Sequence, residues 1–192
     1  KQGYALAQAA LDYGAEVTLI SSTSHLIAPY GCSFISVETA EEMCNAVISE
    51  IDGADALIMS AAVADFKPQN YSHEKIKKEK GLECIELERT VDILAEVSKI
   101  KKSRRLDLKI IGFAAESENI KENAKKKISE KAMDMIVAND ITDPQAGFAV
   151  DTNKVLLIFS DGSTEQLPLL SKGEVAEKII QYLASWYLEK EG

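Results

Sequence analysis

The chain has 192 residues, of which 46% are hydrophobic and 28% charged, and its formal net charge at pH 7 is −9. This composition is typical of one soluble globular domain, and no apolar run approaches the roughly 18 residues of a membrane span. The acidic charge argues against general nucleic-acid binding, which needs a basic face. The cysteines Cys32, Cys44 and Cys84 are scattered, which favours a reducing, cytoplasmic location over a disulfide framework or a structural zinc site.

Segments with helical spacing alternate with short apolar runs along most of the chain. Apolar residues three and four apart predict helices, and short apolar or alternating runs predict strands. The predicted helices cover residues 3–14, 39–51, 91–100, 117–132 and 171–190. The predicted strands cover residues 15–21, 32–37, 54–60, 83–88, 108–115 and 134–140, followed by two strands within residues 154–169. This order predicts an α/β fold.

Local patterns define the expected sheet. Thr39 and Glu42 form a predicted capping box at the start of the second helix, and a Ser-Asp-Gly-Ser turn near the end of the chain predicts a hairpin. Helices between strands indicate a Rossmann-like, doubly wound, mostly parallel sheet with helices on both faces, to which the hairpin adds a C-terminal antiparallel edge. Four apolar runs are expected to be central strands buried on both faces, at residues 17–20, 57–59, 110–113 and 135–137.

The chain starts with a helical pattern. In a doubly wound fold, a first strand and its Gly-rich turn precede such a helix. We therefore expect residues 1–192 to form a single domain that lacks this first strand and turn. The same reasoning indicates that the chain is one part of a longer polypeptide.

Small residues follow four of the predicted strands, at residues 21–25, 60–65, 112–117 and 138–140. In open α/β sheets, ligands bind outside the carboxyl ends of strands, and small side chains let a ligand reach main-chain N–H and C=O groups. The alternative for each stretch is that small residues only make room for a packed helix. Two Ala-Ala pairs on different strands favour a ligand crevice.

Three lysines and one aspartate indicate what this crevice binds. Lys127 and Lys131 are four residues apart on a predicted helix and share a face, and Lys75 lies in a basic stretch after Pro68. Together they suit a polyanion such as a triphosphate, although basic clusters are most often a solvated face. Asp65 suits a divalent cation that bridges phosphates, and a cap of a turn or helix is an equal alternative.

Several enzyme classes receive little support from the sequence. The chain contains neither a GxxxxGK[ST] loop nor a GxGxxG fingerprint, which argues against a standard P-loop enzyme. Nothing pairs His25 or His73 with a Ser or Cys, so a hydrolase triad is poorly supported. An NAD(P)-dependent oxidoreductase with its fingerprint upstream, or a non-catalytic nucleotide-binding module, remains an alternative.

The chain resembles the phosphopantothenate–cysteine ligase family in motifs that span nearly its whole length and occur in the family's order: KQGYALA, SAAVADFKP, EKIKK, VDILAEV, IGFAAES, DMIVAND and NKVLLIF. It departs from the family at Thr90 and Val91, where many bacterial members have Asn-Pro. The family's carboxylate-binding Asn would lie upstream of Lys1. The resemblance implies the C-terminal half of a bifunctional coenzyme A biosynthesis protein, behind a flavin-dependent decarboxylase domain, and a homodimer.

The resemblance implies a two-step reaction. The carboxylate of 4′-phosphopantothenate attacks the α-phosphate of CTP, which gives an acyl-cytidylate and pyrophosphate. L-Cysteine then displaces CMP and forms an amide. Such a protein mainly positions reactants and balances charge, and Mg²⁺ offsets the phosphate charge.

The resemblance also implies roles for individual residues. Lys75, the first lysine of KIKK, is the implied catalytic residue and handles the acyl-cytidylate. Asp65 is the implied Mg²⁺ ligand. The implied nucleotide-binding residues are Met59, Ser60, Ala61, Asp65, Lys75, Val91, Asp92, Ile93, Leu94, Phe113, Lys127 and Lys131.

Overall fold

A computed structural model describes residues 1–23, 25–70, 84–116, 120–140 and 151–188. The strands are β1 Thr18–Ser21, β2 Ser33–Ser36, β3 Ala56–Met59, β4 Phe66–Pro68, β5 Leu87–Arg89, β6 Lys109–Glu116, β7 Met135–Asp140, β8 Thr152–Asn153, β9 Val155–Phe159, β10 Thr164–Gln166 and β11 Leu170–Ser171. The helices are α1 Gln2–Asp12, α2 Ala40–Glu50, α3 Ile93–Arg104, α4 Ile120–Lys131 and α5 Lys172–Leu188.

A five-stranded sheet in the order β10-β9-β7-β6-β3 organises the fold. β3, β6 and β7 are parallel, whereas β9 runs antiparallel to β7 and β10 antiparallel to β9. The predicted parallel sheet with a C-terminal antiparallel hairpin is therefore confirmed. Three separate two-stranded sheets are formed by β1 with β2, β11 with β8, and β4 with β5.

Helices cover both faces of the sheet. Since adjacent residues of a strand point to opposite faces, the strands contribute side chains to a core on each side. One core lies between the sheet and α2, α3 and α4, and includes Val47, Val97, Ile110, Ile128 and Ile136. The other lies between the sheet and α1 and α5, and includes Leu6, Ile111, Met135, Val137 and Ile179. In the described part of the chain, no helix is long and apolar enough to cross a membrane.

Polar caps fix the ends of several helices. The predicted capping box of α2 is present, with Thr39 accepting from the N–H of Glu42 and the Glu42 carboxylate accepting from the N–H of Thr39. Ser171 and Glu174 make the same reciprocal pair at α5. These side chains satisfy N–H groups that have no partner within the helix, so the start of each helix is encoded locally.

The prediction of strands buried on both faces is right for β6 and β7 and wrong for β1 and β3. Ile110, Ile111, Met135 and Val137 are 0% exposed, whereas most residues of β1 and β3 are partly exposed. Among the described strands, β1 pairs only with β2, and β3 pairs only with β6. Each therefore has an edge without a neighbour.

A two-stranded arm of β4 and β5 projects between β3 and α3. Phe66 pairs with Arg89, and Pro68 pairs with Leu87. The sequence did not predict β4. For the strand at residues 83–88 it predicted that only one face would be solvated, which is wrong. All three residues of β5 are exposed, and among the described strands only β4 pairs with β5.

Candidate functional site

The predicted ligand crevice would lie at a step in the carboxyl edge of the sheet. β3 ends at Met59, whose register partner is Gly112 of β6. β6 continues for four more residues beside β7, as far as Glu116. The chain that leaves β3 therefore turns away at a point where β6 extends beyond it. We call this region, bounded by Met59, Ser60, Ala61 and the edge of β6 beyond Gly112, the stepped crevice.

The small residues of this region serve two different purposes. An added Cβ at Gly112 would lie 2.6 Å from Sδ of Met133 and 3.5 Å from Cδ1 of Leu94, so this glycine makes room for packed neighbours. Ala61 and Ala62 are exposed. Their small size therefore does not serve core packing, and it leaves the main chain accessible to a ligand.

The first turn of α1 also reaches the end of β3. An added Cβ at Gly3 would lie 2.9 Å from Oγ of Ser60. Nearby, the Tyr4 hydroxyl donates to the carbonyl of Thr23 over 3.1 Å. The first turn of α1 thus lies between the carboxyl ends of β3 and β1.

Asp92 and Lys131 form an ion pair beside the stepped crevice. Asp92 caps α3 by accepting from the N–H of Ala95 at 3.1 Å, and Nζ of Lys131 lies 2.8 and 3.1 Å from its two carboxylate oxygens. Burial acts to raise the pKa of Asp92, but the hydrogen bonds from Lys131 and Ala95 outweigh it and lower the pKa below its usual value. The structure therefore places a lysine ammonium at the start of α3.

The turn before α3 approaches β3 through apolar contacts. Val91 and Leu94 pack against the same core as Met59 and Val63. Ile93 is 3% exposed, so its side chain is unavailable to a ligand. Any nucleotide contact by Ile93 would therefore use its main-chain groups.

The other predicted site residues do not all lie near the Asp92–Lys131 pair. Lys127 is partly buried one turn before Lys131 on α4. Phe113 packs with the core that contains α1 and α5, whereas α4 packs on the opposite face of the sheet. The structure does not place Phe113 beside the two lysines, and a ligand that meets all three would cross the edge of β6. Lys75, like His73, lies outside the described residues.

Asp65 is exposed at the base of the arm. Among the described residues, no group of three or more His, Cys, Asp and Glu side chains could hold a metal ion. The carboxylate of Asp65 suits Mg²⁺ as a single ligand, with phosphate oxygens and water completing the coordination.

The sequence did not predict the contacts of Thr90, although Thr90 is one of the positions that depart from the family pattern. Its backbone N–H donates to the carbonyl of Asp65 over 3.0 Å, and its hydroxyl donates to the carbonyl of Ala64. These bonds join the loop after β3 to the turn before α3. The sequence signal was a hydroxyl residue directly before the Val91–Asp92 pair.

A second, open cleft of about 740 Å³ lies at the opposite edge of the sheet. Lys109 and Asp134 line this cleft and pair with each other, with Nζ of Lys109 3.1 Å from the Asp134 carboxylate. Nζ of Lys101, from α3, lies 3.2 Å from the same carboxylate. Lys109 also lies over the ring of Trp186, 5.7 Å from its centroid. These contacts join α3, the sheet and α5, so a structural role accounts for them.

Comparisons with known proteins agree with the motif resemblance. A family model described as DNA/pantothenate metabolism flavoprotein C-terminal domain matches residues 1–187. The chain is 46% identical over 186 residues to the coenzyme A biosynthesis bifunctional protein CoaBC of Bacillus subtilis (strain 168), covering 96% of this chain and 45% of that protein. It is 40% identical over 182 residues to a cysteine/cysteine sulfinic acid decarboxylase of an unknown prokaryotic organism, covering 94% of this chain and 50% of that protein.

A solved structure has the same fold. The crystal structure of the C-terminal domain of coenzyme A biosynthesis bifunctional protein CoaBC matches with a TM-score of 0.81 and 38% identity, over 98% of this chain and 83% of that chain. The chain spans about half the length of the two curated relatives. Since the family model covers nearly every residue and a solved relative shares the fold, the chain belongs to the DNA/pantothenate metabolism flavoprotein C-terminal domain family.

Proposed function

We propose that the chain is the ligase part of a coenzyme A biosynthesis protein and joins 4′-phosphopantothenate to cysteine, with CTP as the activating nucleotide. The observation that carries this proposal is the stepped crevice, where exposed small residues after β3 lie beside the Asp92–Lys131 pair. The names of the CoaBC relatives point to the same pathway. An N-terminal flavoprotein domain in the same polypeptide fits the share of these bifunctional relatives that the chain covers.

The proposed chemistry activates a poor acylating agent. A carboxylate oxygen of 4′-phosphopantothenate attacks the α-phosphorus of CTP, and the bond to the departing pyrophosphate breaks. The amine of cysteine then attacks the acyl carbon, the bond to CMP breaks, and the amine loses a proton. Both steps depend on positioning and on charge stabilisation more than on a strong acid or base.

Each candidate residue has a proposed role in this reaction that follows from its position. The main chain of Met59, Ser60 and Ala61 lies against the nucleotide, and Lys127 and Lys131 bind its phosphates. Asp65 holds Mg²⁺, which would offset phosphate charge when bound. Lys75 acts on the acyl-cytidylate. Val91, Asp92, Ile93, Leu94 and Phe113 complete the nucleotide site.

Pyrophosphate release by the full-length protein tests this proposal. We expect release with CTP, in preference to other nucleoside triphosphates, only when 4′-phosphopantothenate is present, and amide formation only after cysteine is added. A parallel arm measures CO₂ release from cysteine, the reaction that the name of the second relative suggests. Absorbance changes with NAD(P)H would instead indicate an oxidoreductase, and a full-length protein that binds CTP without releasing pyrophosphate would be a non-catalytic module.

We also propose that the protein forms a homodimer through the β4–β5 arm. Phe66, Ile85 and Leu87 are 51%, 61% and 59% exposed, and apolar side chains grouped on a small surface commonly mark an interface. Replacing Phe66 by aspartate is expected to shift the protein from dimer to monomer in light scattering after gel filtration. The control Tyr30→Asp, at a fully exposed loop residue, should remain dimeric. A wild-type protein that is monomeric at micromolar concentration would refute the dimer.

A further inference from the structure

Thr90 lies where the arm meets α3, and it is better protected than the residues of β5 before it. β5 is exposed at all three positions, whereas Thr90 is partly buried. Its N–H bond to Asp65, at 3.0 Å, extends the ladder of the arm by one pair. Its hydroxyl makes an additional bond to the carbonyl of Ala64 that the ladder does not require. Two consecutive carbonyls at the end of the loop are therefore bound by one residue.

The loop after β3 has few other means of holding its shape. Ala61, Ala62 and Ala64 carry no side-chain hydrogen-bonding group, and all three are exposed. Val63 is its one member that packs against the core. Ordering a loop costs conformational entropy, so a loop of this composition depends on the bonds that its main chain makes.

The segment from Thr90 to Asp92 links this loop to the phosphate-binding lysine. Thr90 binds the loop, and two residues later Asp92 caps α3 and binds Nζ of Lys131 at 2.8 Å. The same short segment thus fixes both the main-chain wall and the cation of the stepped crevice.

We propose that Thr90 is a positioning residue for nucleotide binding: its hydroxyl holds the loop of residues 60–65 in the conformation that receives CTP. This inference rests on the proposed function. The proposed role of Thr90 acts through the loop, by its bonds to Ala64 and Asp65. It lowers the entropy that the nucleotide would otherwise have to remove from the loop on binding.

Replacing Thr90 by valine tests this role, because valine keeps the shape and removes the hydroxyl. We expect the KM for CTP to rise about tenfold with kcat within about twofold, since the lost order affects the bound substrate and the transition state equally. Thr90→Ser retains a hydroxyl, and its KM should stay within about threefold of wild type.

Two further measurements separate positioning from folding. Hydrogen exchange on the nucleotide-free protein should show faster exchange of the amides of residues 61–65 in Thr90→Val and wild-type rates elsewhere, so a test without turnover is available. The control Thr18→Val removes a hydroxyl that bonds Glu50 over 3.3 Å at the amino end of β1. The KM of this variant for CTP should be unchanged.

The outcomes distinguish this inference from the proposed function. If the wild-type protein makes the amide from CTP but Thr90→Val has the wild-type KM and loop exchange, the positioning role is wrong and the ligase function stands. The same conclusion follows if Thr90→Ser is as impaired as Thr90→Val. If the wild-type protein releases no pyrophosphate under any condition, the proposed function fails and this role fails with it.

Discussion

Replacing Ala61 by leucine is expected to weaken CTP binding by about 100-fold while the protein stays folded. Ala61 is exposed directly after β3, so a larger side chain there displaces no core residue. It would occupy the space through which a nucleotide reaches the main chain of residues 59–61. Because β3 is paired with β6, the strand end cannot easily move aside, and an overlap that costs about 3 kcal/mol weakens binding by about 100-fold.

Titration calorimetry with CTP and Mg²⁺, together with thermal melting, checks this result. The matched control is Ala15→Leu, which adds the same side chain at an exposed alanine before β1, away from the stepped crevice. Ala15→Leu should bind CTP like the wild type, and both variants should melt within about 4 °C of it, since exposed substitutions rarely cost more than 0.5 kcal/mol. If Ala61→Leu binds CTP normally, the nucleotide does not lie against this part of the chain.

Local patterns predicted the elements of this fold because their causes are local. The capping box of Thr39 and Glu42 fixes the start of α2, and the turn after Phe159 fixes the C-terminal hairpin. Burial was harder to predict for β1 and β3, because it depends on which strands lie beside them. β4 escaped prediction because it has three residues and ends in a proline, and its pairing with β5 joins distant parts of the sequence.

The site was predictable as a set of strand ends but not as a set of contacts. The apolar run and small residues around Met59 and Ala61 indicated the carboxyl edge of β3, where the structure places the stepped crevice. Alternation along β6 assigns Phe113 and Gly112 to opposite faces. Which helix covers each face follows from packing, however, so the sequence did not separate Phe113 from Lys127 and Lys131.

The Asp92–Lys131 pair shows the same limit. The two residues are 39 positions apart, and they meet because α3 and α4 pack together. The sequence spacing predicted the helix face on which Lys131 lies, but it did not predict Asp92 as its partner. The ammonium of Lys131 is bound to the Asp92 carboxylate, and a bound phosphate would share this cation or replace the carboxylate.

Replacing Lys131 by methionine is therefore expected to weaken CTP binding by about 10- to 100-fold, the equivalent of one lost charge-assisted hydrogen bond of about 1.5–3 kcal/mol. Methionine retains much of the apolar stem, so packing on α4 changes little. The variant also leaves the Asp92 carboxylate without its cation, and the pKa of Asp92, now held down partly by Lys131, should rise. Titration calorimetry measures the affinity, and carboxyl NMR measures the pKa.

Two controls decide whether the lysine acts on the nucleotide or only on the packing of α3 against α4. Lys99→Met removes an exposed lysine that pairs with Glu96 at 2.6 Å on α3, and it should leave CTP affinity unchanged. Asp92→Asn keeps a helix cap but frees Lys131 from its charged partner. If Lys131 binds phosphate, Lys131→Met will lower the affinity far more than Asp92→Asn, because the cation that Asp92→Asn releases remains available to the nucleotide. If the pair only joins the two helices, Lys131→Met and Asp92→Asn will lower the melting temperature together, and both will bind CTP like the wild type.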